Sequence, residues 1–172
     1  MKNILLLLTL CFLMGCRSKK DSASSRKIEK IPESQIDMTQ RNRIEALGEQ
    51  ILMTCNTSKF KPFTEKEATA EVRKNMTIDR LTKTCLKFKL KYGHFKNLTF
   101  VEAYKNKPEK QIIYRYKAHY QKKIANKELR ITVNENNQIA AVNSKDWKDE
   151  FVKPEVKTNS KTNTANKTKP SK

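Results

Sequence analysis

Few side chains in this sequence have the type and spacing needed for acid–base, nucleophilic or metal chemistry. His94 and His119 are the only histidines, and neither is joined by a close Cys, Asp or Glu at metal-ligand spacing. Ser58 and Ser144, the serines of the central region, have no nearby histidine to activate them. After removal of the leader only Gly48 and Gly93 remain, which rules out a phosphate-binding loop, a dinucleotide fingerprint and a Gly-x-Ser-x-Gly elbow. We therefore predict no catalytic motif, no metal and no cofactor.

A row of tyrosines with one carboxylate is the best candidate for a ligand pocket. Tyrosine combines an apolar ring with a polar hydroxyl, which suits sugars or lipid-like ligands. Aromatic residues at a spacing of two are also typical of core packing, so both interpretations stay open. In an enzyme, Glu102 or His119 would act as the base. The pocket candidates are Glu102, Tyr104, Tyr114, Tyr116 and Tyr120.

The first residues of the chain are typical of an export signal. One cation, Lys2, precedes an apolar run from Ile4 to Met14, which is shorter than the ~20 residues that a membrane span needs. The run closes on Leu13, Met14, Gly15 and Cys16, and this segment resembles the bacterial lipobox. The resemblance implies that Cys16 is acylated and becomes the N-terminus of a lipoprotein in the cell envelope. The alternative is an ordinary cleaved signal peptide that happens to contain a cysteine.

The residues after Cys16 bear on where such a lipoprotein would reside. Arg17, Lys19 and Lys20 follow at once, and cations next to a membrane gain about 1 kcal/mol each from anionic lipid. An Asp directly after the acylated cysteine retains some lipoproteins in the inner membrane. Here the residue after Cys16 is Arg17 and not Asp. We therefore expect an outer-membrane lipoprotein that faces the periplasm.

Two of the four cysteines remain once Cys11 is removed with the leader and Cys16 is acylated. In an oxidising compartment, Cys55 and Cys85 are a candidate disulfide. Two buried free thiols or a redox pair are the alternatives, although no Cys-x-x-Cys spacing supports redox chemistry.

The formal net charge of +19 is spread along the whole chain. Such an excess suggests polyanionic partners, and export removes nucleic acid from the candidates. Anionic lipid, lipopolysaccharide, a cell-wall polymer or a partner protein remain. The alternative is that the lysines only keep the surface solvated.

Composition divides the chain into four parts. Residues 1–15 form the leader, and residues 16–37 form a polar tether with too little apolar surface to fold. Residues 38–152 form one folded domain of ordinary small size. Residues 153–172 are almost wholly Lys, Thr, Asn, Ser and Pro, which predicts a disordered basic tail.

Helical spacing of apolar residues predicts three helices in the first half of the domain, each opened by a capping side chain. The predicted caps are Asp37, Thr64 and Thr77, and the predicted ends lie near Thr54, Met76 and Gly93. Cys55 and Cys85 both fall on the apolar sides of their helices, which favours the disulfide.

Alternating apolar residues predict four strands after Gly93. Their order after the helices indicates an α+β fold, with N-terminal helices packed on a four-stranded antiparallel sheet. We expect the second face of this sheet to turn four basic residues to solvent. The predicted strands are Leu98 to Tyr104, Gln111 to Gln121, Glu128 to Asn134 and Gln138 to Asn143. The predicted basic face consists of Arg115, Lys117, His119 and Arg130.

The segment from Tyr92 to Leu98 ends a helix at a "Gly, one residue, Phe" exit and enters the sheet. In this it resembles small envelope domains of the cystatin-like, nuclear transport factor 2-like superfold. The resemblance spans roughly Met38 to Phe151 and implies a helix packed across a curved sheet. Members of this superfold include enzymes and binding modules, so the likeness carries fold and not activity.

Two functions follow as hypotheses. The first is a lipid-anchored, non-catalytic binding or accessory module for an anionic envelope component or a partner protein. The second is a small enzyme of the same superfold that acts on a ligand in the cone of the sheet. A closed, tyrosine-filled interior would favour the first, and an open cavity with an inward carboxylate near a histidine would favour the second.

Overall fold

Helices packed on an antiparallel sheet make this an α+β protein, as predicted. A computed structural model describes residues 28–154; Cys16 with its leader, the tether up to residue 27 and the tail from residue 155 lie outside the described residues. Three helices and five strands form in this part of the chain, and the strands lie in the sheet in chain order. The elements are β1 (Ile28–Lys30), α1 (Met38–Thr57), α2 (Ala70–Asn75), α3 (Ile78–Tyr92), β2 (Phe95–Asn106), β3 (Gln111–Tyr120), β4 (Lys127–Val133) and β5 (Ile139–Asp146).

The sheet has one strand more than the sequence predicts. The additional strand, β1, lies within the predicted disordered tether and pairs antiparallel with the end of β2, with Ile28 opposite Asn106. Its three residues are too few and too polar to show an alternating pattern. The prediction of four strands is therefore wrong by this one, and β1 lies in a part of the chain that was predicted to be disordered.

The helix caps act largely as predicted. The side chain of Asp37 accepts a hydrogen bond from the backbone N–H of Gln40 at 3.0 Å at the start of α1. Thr77 caps α3, and Gly93, with a φ of 77°, ends it. A positive φ favours glycine because a Cβ atom would clash there.

The second helix begins later than predicted. Thr64 and Glu67 do form the predicted contact, with the Thr64 N–H 2.8 Å from Glu67 Oε2, but they close only a turn. Residues 67–69 instead run along β5, where the N–H of Thr69 donates to the carbonyl of Ile139 at 3.0 Å. Because this pairing takes the backbone out of a helical path, Thr69 becomes the cap of α2.

The core lies between the helices and one face of the sheet, and α1 makes the closest approach. Gly48 in α1 faces the side chains of Leu98, Leu129 and Ile131, all of them buried. A Cβ atom at position 48 would lie 2.8 Å from Ile131 Cδ1 and 3.0 Å from Leu98 Cδ1. The missing side chain therefore sets how closely α1 packs on the sheet.

Replacing Gly48 by Ala is expected to lower the free energy of unfolding by about 1 to 3 kcal/mol, because Ile131 is fully buried and has little room to move. Gly→Ala at an exposed helix position raises the free energy of unfolding by about 1 kcal/mol. The sign of the change at position 48 therefore distinguishes close packing from an exposed position. Urea denaturation of both proteins measures the difference. A more stable Gly48→Ala protein would contradict this packing.

Candidate functional site

Three of the four candidate tyrosines fill the core. Tyr114, Tyr116 and Tyr120 are buried on the helix side of the sheet. Burial raises the pKa of Tyr114 to about 12 and raises the pKa values of Tyr116 and Tyr120 as well. The hydroxyl of Tyr114 donates to Gln40 Oε1, and that of Tyr116 donates to the carbonyl of Arg41 at 3.3 Å. These two hydroxyls therefore hold α1 to the sheet.

A bulge in β2 places Glu102 and Tyr104 on the opposite face. Phe100 lies opposite Tyr116, but Glu102 lies opposite Arg115, so Val101 is the extra residue. Unbroken alternation along β2 would instead put Phe100, Glu102 and Tyr104 on one face. The sheet therefore separates Glu102 and Tyr104 from the other three tyrosines, and the predicted pocket is not brought together.

On this second face, four buried charged side chains and the exposed Lys30 form an ion-pair cluster. Arg115 Nε lies 2.6 Å from Glu128 Oε2, and Arg115 Nη1 lies 2.7 Å from Glu102 Oε1. Arg130 Nε pairs with the other oxygen of Glu128, and Lys30 Nζ lies 2.9 Å from Glu102 Oε2. Both carboxylates thus have a cation on each oxygen.

The predicted solvent-facing basic surface is wrong for its two arginines. Arg115 is 0% exposed and Arg130 only 4% exposed. Lys117 and His119 are half-buried. The reason is that residues 147–152 fold back across this face of the sheet and shield it from water.

Residues 147–152, which we call the C-terminal cover, contact the cluster through rings and carbonyls. The Trp147 ring centroid lies 4.2 Å from the Arg115 guanidinium carbon, and the Phe151 ring centroid lies 4.4 Å from that of Arg130. Phe151 also stacks on Tyr104, with 3.8 Å between ring centroids. The carbonyl of Val152 accepts from Arg130 Nη1 at 2.5 Å, and the carbonyl of Lys148 accepts from Arg115 Nη2. Sequence reasoning missed this role, for which two aromatic residues within a charged stretch were the available signal.

The cluster does not supply a general base. Burial opposes ionisation of Glu102, but hydrogen bonds from Lys30 and Arg115 outweigh it and hold the pKa of its carboxyl below the usual range. His119 pairs instead with the Thr99 hydroxyl, with Nε2 and Oγ1 2.9 Å apart. It lies four residues along β3 from Arg115, the partner of Glu102, which is about 13 Å in a strand. The two candidate bases of the enzyme hypothesis are therefore not brought together.

An open cleft of about 330 Å³ lies between the helices and the sheet. Its wall is mostly apolar, with Leu52, Leu81 and Phe88 among its residues. The polar members are Asn75, Arg80, Thr84 and Ser144. No carboxylate or imidazole stands in this lining. The cleft therefore has the shape of a binding site without a catalytic acid or base.

One wall of the cleft is the disulfide between Cys55 and Cys85. It joins the last turns of α1 to the middle of α3, with the two Cα atoms 4.5 Å apart. The bond fixes the distance between α1 and α3 at this point.

The outward side of α3 combines exposed leucines with lysines. Lys83, Leu86, Lys87 and Leu90 follow the i, i+3, i+4, i+7 spacing of one helix face. Leu86 is 62% and Leu90 is 70% exposed, and Ile124 in the β3–β4 loop is 73% exposed. This loop lies against the end of α3, because Lys122 Nζ donates to the carbonyl of Leu90 at 2.8 Å. We call the group of Lys83, Leu86, Lys87, Lys89, Leu90 and Ile124 the α3 surface.

Within residues 28–154, no group of three or more His, Cys, Asp and Glu side chains is placed to hold a metal ion. No helix in the same stretch combines the length and the apolar character that a membrane crossing requires.

The fold and these surfaces define an α+β domain with a covered ion-pair cluster, an apolar cleft and a cationic helix face. No protein-family model matches the chain. No curated protein and no solved structure matches it either.

Proposed function

We propose that this protein is a bacterial envelope lipoprotein, acylated at Cys16 and held in the outer membrane on its periplasmic side. Its α+β domain is a non-catalytic binding module for an anionic envelope component or a partner protein. We place the domain in the cystatin-like, nuclear transport factor 2-like superfold, which is supported by helices packed across one face of an antiparallel sheet.

One observation carries the binding role: the domain pairs its interior charges but leaves the cations of the α3 surface unpaired. Lys83, Lys87 and Lys89 form no ion pair with any of residues 28–154 and are exposed. Asp79, in the first turn, is the only acidic residue of α3. An exposed lysine group that forms no ion pair attracts anions.

Lipid attachment is supported by the leader. The thiol of Cys16 follows the apolar run directly, and acyl chains gain about 0.8 kcal/mol for each buried methylene, so two or three chains make attachment lasting.

The processing of the leader tests this proposal in a Gram-negative host. Globomycin, which blocks the lipoprotein signal peptidase, is expected to make the wild-type precursor accumulate. Without the inhibitor, the mature protein is expected to carry acyl mass on Cys16. Mass analysis of the membrane fraction measures both.

The leader contains a matched control. Cys11→Ala is expected to leave processing and acylation unchanged, whereas Cys16→Ala abolishes both. Cleavage that is indifferent to globomycin and to Cys16→Ala would refute the anchor and leave a secreted domain.

A further inference from the structure

The α3 surface exposes apolar side chains where the domain also concentrates lysines. Leu86 and Leu90 lie one helical turn apart, so their side chains form a continuous apolar strip. Lys83 and Lys87 stand on the same face, and Lys89 lies on the other side of Leu86 and Leu90. Ile124 is an exposed apolar residue two positions after Lys122, whose side chain reaches the carbonyl of Leu90 in α3.

We propose that the α3 surface lies on an anionic lipid bilayer, with Leu86, Leu90 and Ile124 inserted between headgroups and the lysines on lipid phosphates. This inference deepens the proposed function, on which it rests, by naming the anionic component and the face that binds it. Helices with apolar residues on one stripe and lysines beside it lie in the plane of the membrane interface.

Charge complementarity selects a negative surface. The lysines of the α3 surface have no ion-pair partner among the described residues, so binding to phosphate breaks no existing pair. The exposed leucines select a bilayer over a soluble polymer, because an anionic polysaccharide or polyphosphate offers no apolar interior to receive them.

The position of β1 is compatible with the same membrane carrying the anchor. Ile28 lies beside Asn106, at the end of the sheet remote from the β3–β4 loop. When α3 lies in the membrane plane, the distance between Ile28 and the β3–β4 loop runs along the membrane. The acyl anchor can diffuse within the membrane to a position below Ile28. Eleven residues lie between Cys16 and Ile28, and the chain from one to the other spans at most about 40 Å, against a helix layer about 10 Å thick.

Vesicle co-sedimentation tests the proposal. The protein is the mature chain, residues 16–172, with Cys16→Ser, so that no acyl chain contributes; every core residue and the disulfide are retained. The probes are phosphatidylcholine vesicles with and without phosphatidylglycerol. We expect binding only to the vesicles that contain phosphatidylglycerol.

Two variants separate the charge from the apolar contribution. Lys83→Gln, Lys87→Gln and Lys89→Gln together are expected to weaken binding about 100-fold. Leu90→Gln with Ile124→Gln is expected to weaken it at least about tenfold, without a change in net charge.

Matched controls address general charge and exposed apolar area, with the basic tail present in every protein. Lys59→Gln, Lys61→Gln and Lys66→Gln together remove the same charge from the exposed loop between α1 and α2. Met38→Gln removes an exposed apolar side chain from the start of α1. Both control proteins are expected to bind within about twofold of the parent chain, since neither lies on the α3 surface.

Three outcomes would overturn the inference. The first is the absence of binding to anionic vesicles, and the second is an equal loss of affinity in the two triple lysine variants. The third is unchanged binding by the Leu90 and Ile124 variant, which would indicate attraction to a polyanion without insertion into a bilayer. Because acylation is read separately from globomycin sensitivity, each of these outcomes leaves the anchor of the proposed function standing.

Discussion

Replacing Arg115 by Met is expected to lower the free energy of unfolding by about 3 to 5 kcal/mol. Arg115 is fully buried and donates to Glu128 at 2.6 Å and to Glu102 at 2.7 Å. Methionine retains most of the apolar stem but removes the charge and every donor. One oxygen of each carboxylate then loses its donor, and a buried acceptor left without a hydrogen bond is costly.

The same change is expected to loosen the C-terminal cover. The guanidinium of Arg115 donates to the carbonyls of Lys148 and Asp149 and stacks under Trp147. Trp147 is the only tryptophan of the chain, so its fluorescence reports on the cover alone. We expect its emission to shift to the red in Arg115→Met while the protein is still folded.

Urea denaturation and tryptophan emission together measure these effects. Lys107→Met is the control, because Lys107 pairs with Glu29 at 2.7 Å on the surface, where such pairs contribute about 0 to 1 kcal/mol. The double variant Arg115→Met with Glu102→Gln should recover part of the loss, since it removes the buried carboxylate whose remaining partner, Lys30, is exposed to water. A loss below about 1 kcal/mol in Arg115→Met would contradict a buried cluster.

Breaking the disulfide is expected to lower the free energy of unfolding by about 3 to 4 kcal/mol. The bond closes a loop with a sequence separation of 30, and opening it returns that conformational freedom to the unfolded chain. Domains of this size have about 5 to 15 kcal/mol of stability, so the reduced protein would retain only a small margin.

Comparison of the oxidised chain with Cys55→Ser, Cys85→Ser and the double variant measures this contribution. If the disulfide stabilises by restricting the unfolded chain, the double variant should lose no more unfolding free energy than either single variant, because one substitution already opens the loop. Coincident urea midpoints for the oxidised chain and the double variant would contradict a stabilising bond.

Much of the fold was predictable because its signals are local. Asp37 and Thr77 cap helices through backbone groups only three residues away. Gly93 ends α3 by its own backbone conformation. The alternation in β3 and β4 likewise reports burial of one sheet face, so these strands were found to within a residue or two of their bounds.

The site was less predictable because its parts are joined over long distances in the chain. The bulge at Val101 moves Glu102 to the other face, and alternation alone does not reveal an extra residue. Arg115 was predicted to face solvent because it alternates with the core residues Tyr114 and Tyr116 in β3. Its burial depends on residues 147–152, more than thirty positions away.

The sequence by itself determined α1, α3, the main strands and the α+β class, because caps, helical spacing and alternation act over a few residues. It also supplied the expectation of lipid attachment at Cys16, which lies outside the described residues. Only the tertiary structure decided that β1 completes the sheet, that the C-terminal cover buries the arginines, and that Leu86, Leu90 and Ile124 share one exposed region. These features depend on strand pairing and packing between segments that are distant in the chain. The free energy of such contacts exists only in the assembled fold, so they produce no periodic pattern in the sequence.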